Sequence, residues 1–296
     1  MAEITPRRNG ELLRVVFGIL MSEPEGLQAK EVLTRLESKV EFSEFERGSY
    51  PSGPGIPRWH KILRFATIPL VKAGWLIKDR GVWAVTDHGR AAFQKHKDPE
   101  AFYRAADRVY QDWRSSRPKP VEDPEELEER VEQVRITYEQ ASEDSWSEIG
   151  DYLQSMDPYD FQELVADLLR AMGYHVYWVA PRGKDFGVDI IAHTDPLGAT
   201  KPRIKVQVKR RADPTAVEGL RAFMSVLGDD DVGIFVCSGG FTRDAEDEAR
   251  TQERRKITLI DQGKLFDLWV EHYDKLKQEA RQRMPLRPIH FLAPGE

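Results

Sequence analysis

Three side chains have the types and spacing to work on a phosphodiester: Asp189, Gln207 and Lys209, all within residues 183–211 (GKDFGVDIIAHTDPLGATKPRIKVQVKRR). The stretch reads as two strands, 188–193 and 203–209, joined by a polar loop. Strand side chains alternate, so Lys205, Gln207 and Lys209 share one face while Ile204, Val206 and Val208 share the other. A neighbouring strand brings the Asp189 carboxylate to the polar face. Hydrolysing a phosphodiester needs an activated water, neutralisation of the charge that develops on phosphorus, and a stabilised leaving oxygen. A hard cation such as Mg²⁺, with Mn²⁺ as the alternative, supplies these from oxygen ligands. Asp189 is the expected principal ligand, the Gln207 side-chain oxygen a weaker second, and the Val208 backbone carbonyl a third. Lys209 is expected to orient the water or meet the scissile phosphate, with Lys205, Arg210 and Arg211 along the phosphate backbone. The same spacing also fits a basic strand that is only a solvated face. His193 has no partner at ligand spacing and reads as a strand-end histidine.

The segments around this stretch predict the scaffold that holds it. Asp157-Pro158 is an N-cap followed by proline at the first helical position, and Phe161, Leu164, Val165, Leu168, Leu169 and Met172 follow at helical spacing up to Gly173. Strands are expected at 175–180, 233–237 and 257–260. Helices are expected from Asp213-Pro214, from Thr242, and around Leu265, Leu268 and Trp269. The order αβββαβαβα predicts an α/β domain with a mixed sheet flanked by helices on both faces. Handed crossovers should link its last strands.

With 296 residues, 40% hydrophobic and 32% charged, the chain is long enough for two domains with separate cores. No apolar run approaches a membrane span and no signal-peptide pattern opens the chain, so a cytoplasmic location is expected. The single cysteine, Cys237 in the apolar run GIFVCS, excludes an internal disulfide and a multi-cysteine zinc site. There is no Walker A loop, which argues against nucleoside-triphosphate chemistry, and no His-Glu-x-x-His pattern. Net charge is −6 but unevenly spread. Residues 1–97 carry 16 Lys and Arg against 11 Asp and Glu, residues 98–150 carry 7 against 15, and residues 151–296 carry 21 against 24. The opening segment is therefore basic and the middle strongly acidic.

In residues 1–97, Leu12, Leu13, Val16, Phe17 and Leu20 mark one helix and Val32, Leu33 and Leu36 a second. Residues 41–57, rich in Gly and Pro, read as a loop. A third helix opens at Arg58, with Trp59, Ile62, Leu63, Ala66 and Leu70 inward and Arg58, Lys61 and Arg64 exposed. Pro69 should kink its last turns and Gly74 should end it. Strands at 75–78 and 82–86 turn through Asp79, Arg80 and Gly81, and a last helix begins near Asp87. Three helices and a hairpin predict an α+β winged-helix domain whose third helix enters a DNA major groove, with Arg80 on the backbone. A small protein-interaction domain with a solvated basic face is the competing reading. Residues 98–150 read as an acidic helical linker, with Leu127, Val131, Val134 and Tyr138 forming a narrow stripe that fits docking on either domain, pairing in a dimer, or a spacer with a solvated outer face. Residues 151–296 are expected to form the domain that carries Asp189, Gln207 and Lys209.

The blocks FQELVADLLRAMGY, GVDII, VQVKR, GIFVCSGGFTRDAEDEA and ITLID, in that order, resemble the Mrr-type restriction endonucleases of the PD-(D/E)XK superfamily. IPRWHKILRFATIPLVKAGWLIKDRGVWAVTDHGR resembles that family's N-terminal winged-helix domain. The resemblance spans roughly residues 10–95 and 157–276. It implies a restriction-endonuclease-like fold, with Asp189 as the metal-binding Asp, Lys209 as the catalytic Lys, and Gln207 where most of the superfamily has Glu or Asp. Relatives carry an acid where this chain has Gln162, with Glu163 beside it. Adjacent helical residues point about 100° apart, so a second metal is in doubt. The usual glycine turn is altered to PRGKDFG, where Asp185 is a ligand or a turn former. The implied function is Mg²⁺-dependent cleavage of modified or foreign duplex DNA, including methylated DNA, by a type II/IV-like restriction enzyme. Two-strand cutting would need a homodimer or larger assembly. The alternatives are a non-catalytic winged-helix DNA binder and a structure-selective repair nuclease.

Overall fold

Apolar side chains at helical spacing build the first core. In a computed structural model, which describes residues 4–50, 53–116, 124–183 and 187–290, α1 (Pro6–Leu20) is capped by Thr5 and buries Leu12, Leu13, Val16, Phe17 and Leu20. β1 (Leu27–Gln28) leads into α2 (Ala29–Glu37), which buries Val32, Leu33 and Leu36. Residues 41–57 are not a plain loop. Ser43 and Glu46 form a reciprocal capping box that starts the short helix α3 (Glu44–Arg47), and β2 (Ser49–Tyr50) pairs with β3 (Gly53–Pro57). The Ser-x-x-Glu spacing carried that signal, and the Gly and Pro content masked it.

α4 (Arg58–Lys72) runs through Pro69, and Gly74, at φ +68°, lets the chain leave it. β4 (Leu76–Asp79) and β5 (Val82–Val85) form the expected hairpin. Its two-residue tip places Arg80 at φ 49° and Gly81 at φ +76°, the left-handed pair that a tight hairpin turn demands. β1 adds to β5, giving the three-stranded order β1-β5-β4. α5 (Asp87–Lys95) follows a Thr86 cap.

α6 (Pro99–Ser115) and α7 (Pro124–Ser155) fill the acidic middle. They are not a free-standing linker. Phe102 and Ala106 of α6 are fully buried in the first core, with Phe102 edge-on to Phe17 at 5.1 Å between ring centroids. The chain divides into two units between Glu148 and Ile149, so the helices of residues 98–148 belong to the first. The Leu127, Val131 and Val134 side chains fall outside the described residues.

The second unit opens on the end of α7 and on α8 (Pro158–Ala171), whose Asp157 cap accepts the Tyr159 N–H at 2.9 Å. Then come β6 (His175–Val179), β7 (Ile190–His193), β8 (Arg203–Lys209), α9 (Val217–Ser225), β9 (Asp231–Cys237), α10 (Arg243–Thr251), β10 (Lys256–Ile260), α11 (Gln262–Glu271) and α12 (Gln278–Arg283). The five strands lie in the order β10-β9-β8-β7-β6. β6, β7 and β8 run antiparallel, while β8, β9 and β10 run parallel. Asp213-Pro214 does not start α9 directly. Thr215 is drawn into a bridge with Phe241, its N–H bonding Gly240 O at 2.9 Å, and the helix begins at Val217. Leu153, Phe161, Leu164, Val165, Leu265 and Trp269 cover one face of the sheet with Val206 and Val236. Leu220, Phe223, Phe235 and Ala245 form a second cluster. β8 is thus the central strand, enclosed on both edges. Among the described residues, no helix is long and apolar enough to cross a membrane.

Candidate active site

Asp189 stands one residue ahead of β7, fixed at both ends of its peptide. Its N–H donates to Val206 O and its carbonyl accepts from Ala180 N–H, both at 2.8 Å. The register pairs Ile190 with Val206, so Asp189 lies across from Gln207. Its carboxylate reaches over to β8, where Oδ2 accepts the Val208 N–H at 2.7 Å. Val208 touches the site through that donor, while its side chain packs into the core.

Gln207 shares its face of the strand with Lys205 and Lys209. Its Oε1 is buried and accepts no hydrogen bond. Lys209 is partly buried, its Nζ lying 5.3 Å from the centre of the Phe235 ring. The structure therefore brings Asp189, Gln207, Val208 and Lys209 together at the start of β7 and the end of β8.

The supporting residues divide. Gln162 is 6% exposed and donates its Nε2 to Ala180 O at 2.9 Å, the residue whose N–H holds Asp189 in place. It acts on the site through the strand end. Glu163 turns instead to Arg170, at 3.8 Å. Asp185 lies outside the described residues. Among the described residues, no three His, Cys, Asp or Glu side chains form a metal-holding group.

Several cations expected on DNA are engaged within the protein. Lys205 Nζ sits 2.8 Å from Asp231 and donates to Val226 O at 2.7 Å. Burial pushes the Asp231 carboxyl up, but the Lys205 hydrogen bond and charge hold it below its ordinary value on balance. Arg210 donates to Gln154 O at 2.5 Å, clasping the last turn of α7. The Arg211 N–H and carbonyl both meet Ser238 Oγ at 2.9 Å, and its half-exposed side chain lies 3.7 Å from Asp213.

In the first unit, Arg58 donates to Phe45 O at 3.2 Å and covers the Phe45 ring. Lys61 is partly buried beside Phe65, and Arg80 is exposed at the hairpin tip. Arg64 corrects the expectation of an exposed recognition face. It is only 2% exposed and bonded to Glu143 of α7. Glu143 also accepts from Trp83 Nε1 at 2.6 Å, and Lys78 pairs with Glu139. Sequence reasoning passed over these two glutamates, although their i, i+4 spacing places them on one helix face.

An open mixed sheet with an Asp ahead of its second strand and Gln-x-Lys closing its third is of the restriction-endonuclease class, here preceded by a winged-helix unit. Residues 153–269 match the family model described as a restriction endonuclease of the Mrr catalytic type, and residues 11–95 match the Mrr N-terminal domain. The chain belongs to the Mrr-type restriction endonucleases, with that family's N-terminal domain first and its catalytic domain second. No curated protein matches the sequence. Two solved structures resemble it. One is the MspJI restriction endonuclease in complex with a 27-mer oligonucleotide, at 18% identity and TM-score 0.33, over 51% of this chain and 34% of that one. The other is the DNA modification-dependent restriction endonuclease AspBHI, at 14% identity and TM-score 0.34, over 70% of this chain and 58% of that one. The chain thus spans about a third and somewhat over half the length of these two.

Proposed function

We propose that this protein is a divalent-metal-dependent endonuclease that hydrolyses phosphodiester bonds in duplex DNA, acting on modified or foreign DNA as a restriction enzyme. The observation that carries the reading is the buried Gln207 Oε1 without a hydrogen-bond donor, across from Asp189 and on the same strand face as Lys209. An unsatisfied buried acceptor costs about 1–3 kcal/mol, and a hard cation would give it a partner. Asp189 and Gln207 fit such a cation as charged and neutral oxygen ligands, with water and substrate phosphate oxygens completing its shell. When bound, Mg²⁺ supplies Lewis-acid polarisation of the phosphoryl group and acidifies a nearby water.

The remaining work falls to the chain itself. The Val208 N–H holds the Asp189 carboxylate in one orientation. Gln162 and Ala180 fix the strand end from which that carboxylate projects. The Lys209 ammonium offsets negative charge as it builds on the phosphoryl oxygens. With Gln207 where an acid would add a negative charge, the site should bind metal loosely until substrate phosphates add charge. Family membership supports restriction of modified or foreign DNA, and cutting both strands calls for two copies, hence a homodimer or larger assembly.

A second reading is a DNA-binding protein whose nuclease fold no longer cuts. The commitment of Gln162 to Ala180 and of Glu163 to Arg170 favours it. Methylated and unmethylated plasmids of one sequence, incubated with the protein and Mg²⁺ or Mn²⁺, separate the two. The nuclease reading expects linear or nicked product that disappears with Asp189→Asn, and it fails if neither plasmid is cut or if the variant cuts as well as the wild type.

A further inference from the structure

The face of α4 and the β4–β5 hairpin that a winged-helix domain offers to nucleic acid is covered by an acidic stretch of α7. Arg64 on α4 meets Glu143, Lys78 on β4 meets Glu139, and the Trp83 indole on β5 donates to Glu143. Guanidinium, ammonium and indole N–H are also the donors that grip phosphate oxygens. We propose that Glu139 and Glu143 occupy phosphate positions on this surface, so that duplex DNA and residues 137–148 of α7 compete for it. The inference rests on the reading that the first unit binds DNA, and it adds how that binding is restrained.

Two independent features mark the docked arrangement as replaceable. Arg64 is almost fully buried, yet its Nε and Nη1 find no hydrogen-bond partner. A planar guanidinium offers five N–H groups, and one glutamate already shared with Trp83 leaves part of that fork orphaned. Successive backbone phosphodiesters, each with one negative charge and two non-bridging oxygens, would offer it more acceptors than one shared carboxylate. The contact is also incompletely filled. A cavity of about 380 Å³ remains between the elements, lined by Thr67, Val71, Lys72, Lys78, Tyr138 and Ser142 among others. Burial pulls Lys78 below the ordinary lysine range and pushes Glu143 above the carboxylate range. Desolvation therefore offsets much of the attraction, as expected of buried ion pairs. Lys78 also donates to Thr67 Oγ1 at 2.8 Å, so α4 and the hairpin stay joined to each other without α7.

The test uses the full chain with a fluorescein-labelled duplex DNA of random sequence. Glu139→Gln with Glu143→Gln keeps the size and the Trp83 acceptor while removing both negative charges. The variant should bind the duplex about tenfold or more tightly than wild type at the same salt. Equal or weaker binding by a folded variant overturns the inference alone. If neither form binds the duplex, the DNA-binding reading of the first unit falls and this inference falls with it. Amide exchange across residues 137–148 of the wild type gives a second measurement that does not depend on the variant folding. Faster exchange when DNA is added is expected, and unchanged or slower exchange overturns the competition.

Discussion

Gln207 has the most exacting surroundings of any side chain at the proposed site, because its buried oxygen accepts nothing. Replacing it with methionine removes the orphaned acceptor at nearly constant volume. Stability should then be unchanged or up to about 1 kcal/mol higher, while metal affinity and cleavage fall. Thermal unfolding and metal titration on the same samples check this. A stability loss with metal binding intact would make Gln207 a packing residue. The Asp189, Gln207 and Lys209 grouping was legible in the sequence because the period of a strand fixes which side chains share a face. The fate of the nearby cations was not. Lys205, Arg210 and Arg64 find partners in Asp231, Gln154 and Glu143, far away in the chain. A basic residue read alone looks exposed until its partner is known.

At the scale of elements, local capping and apolar spacing carried most of the reading. Asp157 and Thr242 cap helices where expected, a helix begins at Asp87 as expected, and the five-strand succession of the second unit holds. What failed had a competing cause: a capping box hidden in Gly- and Pro-rich sequence, and a strand bridge that delays α9 beyond Asp213-Pro214. The box has a consequence of its own. Glu46, which accepts the Ser43 N–H, is 2% exposed and meets Arg8 Nε at 2.8 Å. Burial raises its pKa, but the Arg8 and Ser43 hydrogen bonds outweigh that and hold it below the ordinary carboxylate value. A carboxylate depressed in the folded state stabilises above its unfolded pKa of about 4.3. That contribution is lost as pH falls through the lower folded value. The first unit should therefore weaken below about pH 4, and Glu46→Gln should flatten this part of the profile while lowering stability at neutral pH. Denaturant midpoints across pH measure it, and an identical acid profile in the variant contradicts the assignment.

Across the whole molecule, two domains were legible from chain length and from the two separated sets of apolar periodicity. The position of the acidic middle was not, because net charge says nothing about what a helix packs against. Phe102 and Ala106 place α6 in the first core, and Glu139 and Glu143 tie α7 to α4 and the hairpin. Proposed DNA binding by the full chain should fall steeply as salt rises, since it displaces counterions from phosphates. Reversing Lys61 and Arg80 to Glu should weaken it and flatten that salt dependence with the fold intact. Arg64 is left out of that pair because changing a buried ion pair mixes folding with binding. Unaltered affinity and salt slope would remove Lys61 and Arg80 from the DNA surface.

The central claim, a metal site formed by Asp189 and Gln207 beside Lys209, is tested most directly by calorimetric titration of Mg²⁺ and Mn²⁺ into wild type, Asp189→Asn and Gln207→Glu, with nicking of supercoiled plasmid followed in parallel. Asp189→Asn should lose metal binding and nicking together, since the expected principal ligand loses its charge. Gln207→Glu should bind metal more tightly, through its added charge, and retain some nicking. Equal metal affinity and equal nicking in all three proteins would contradict the account.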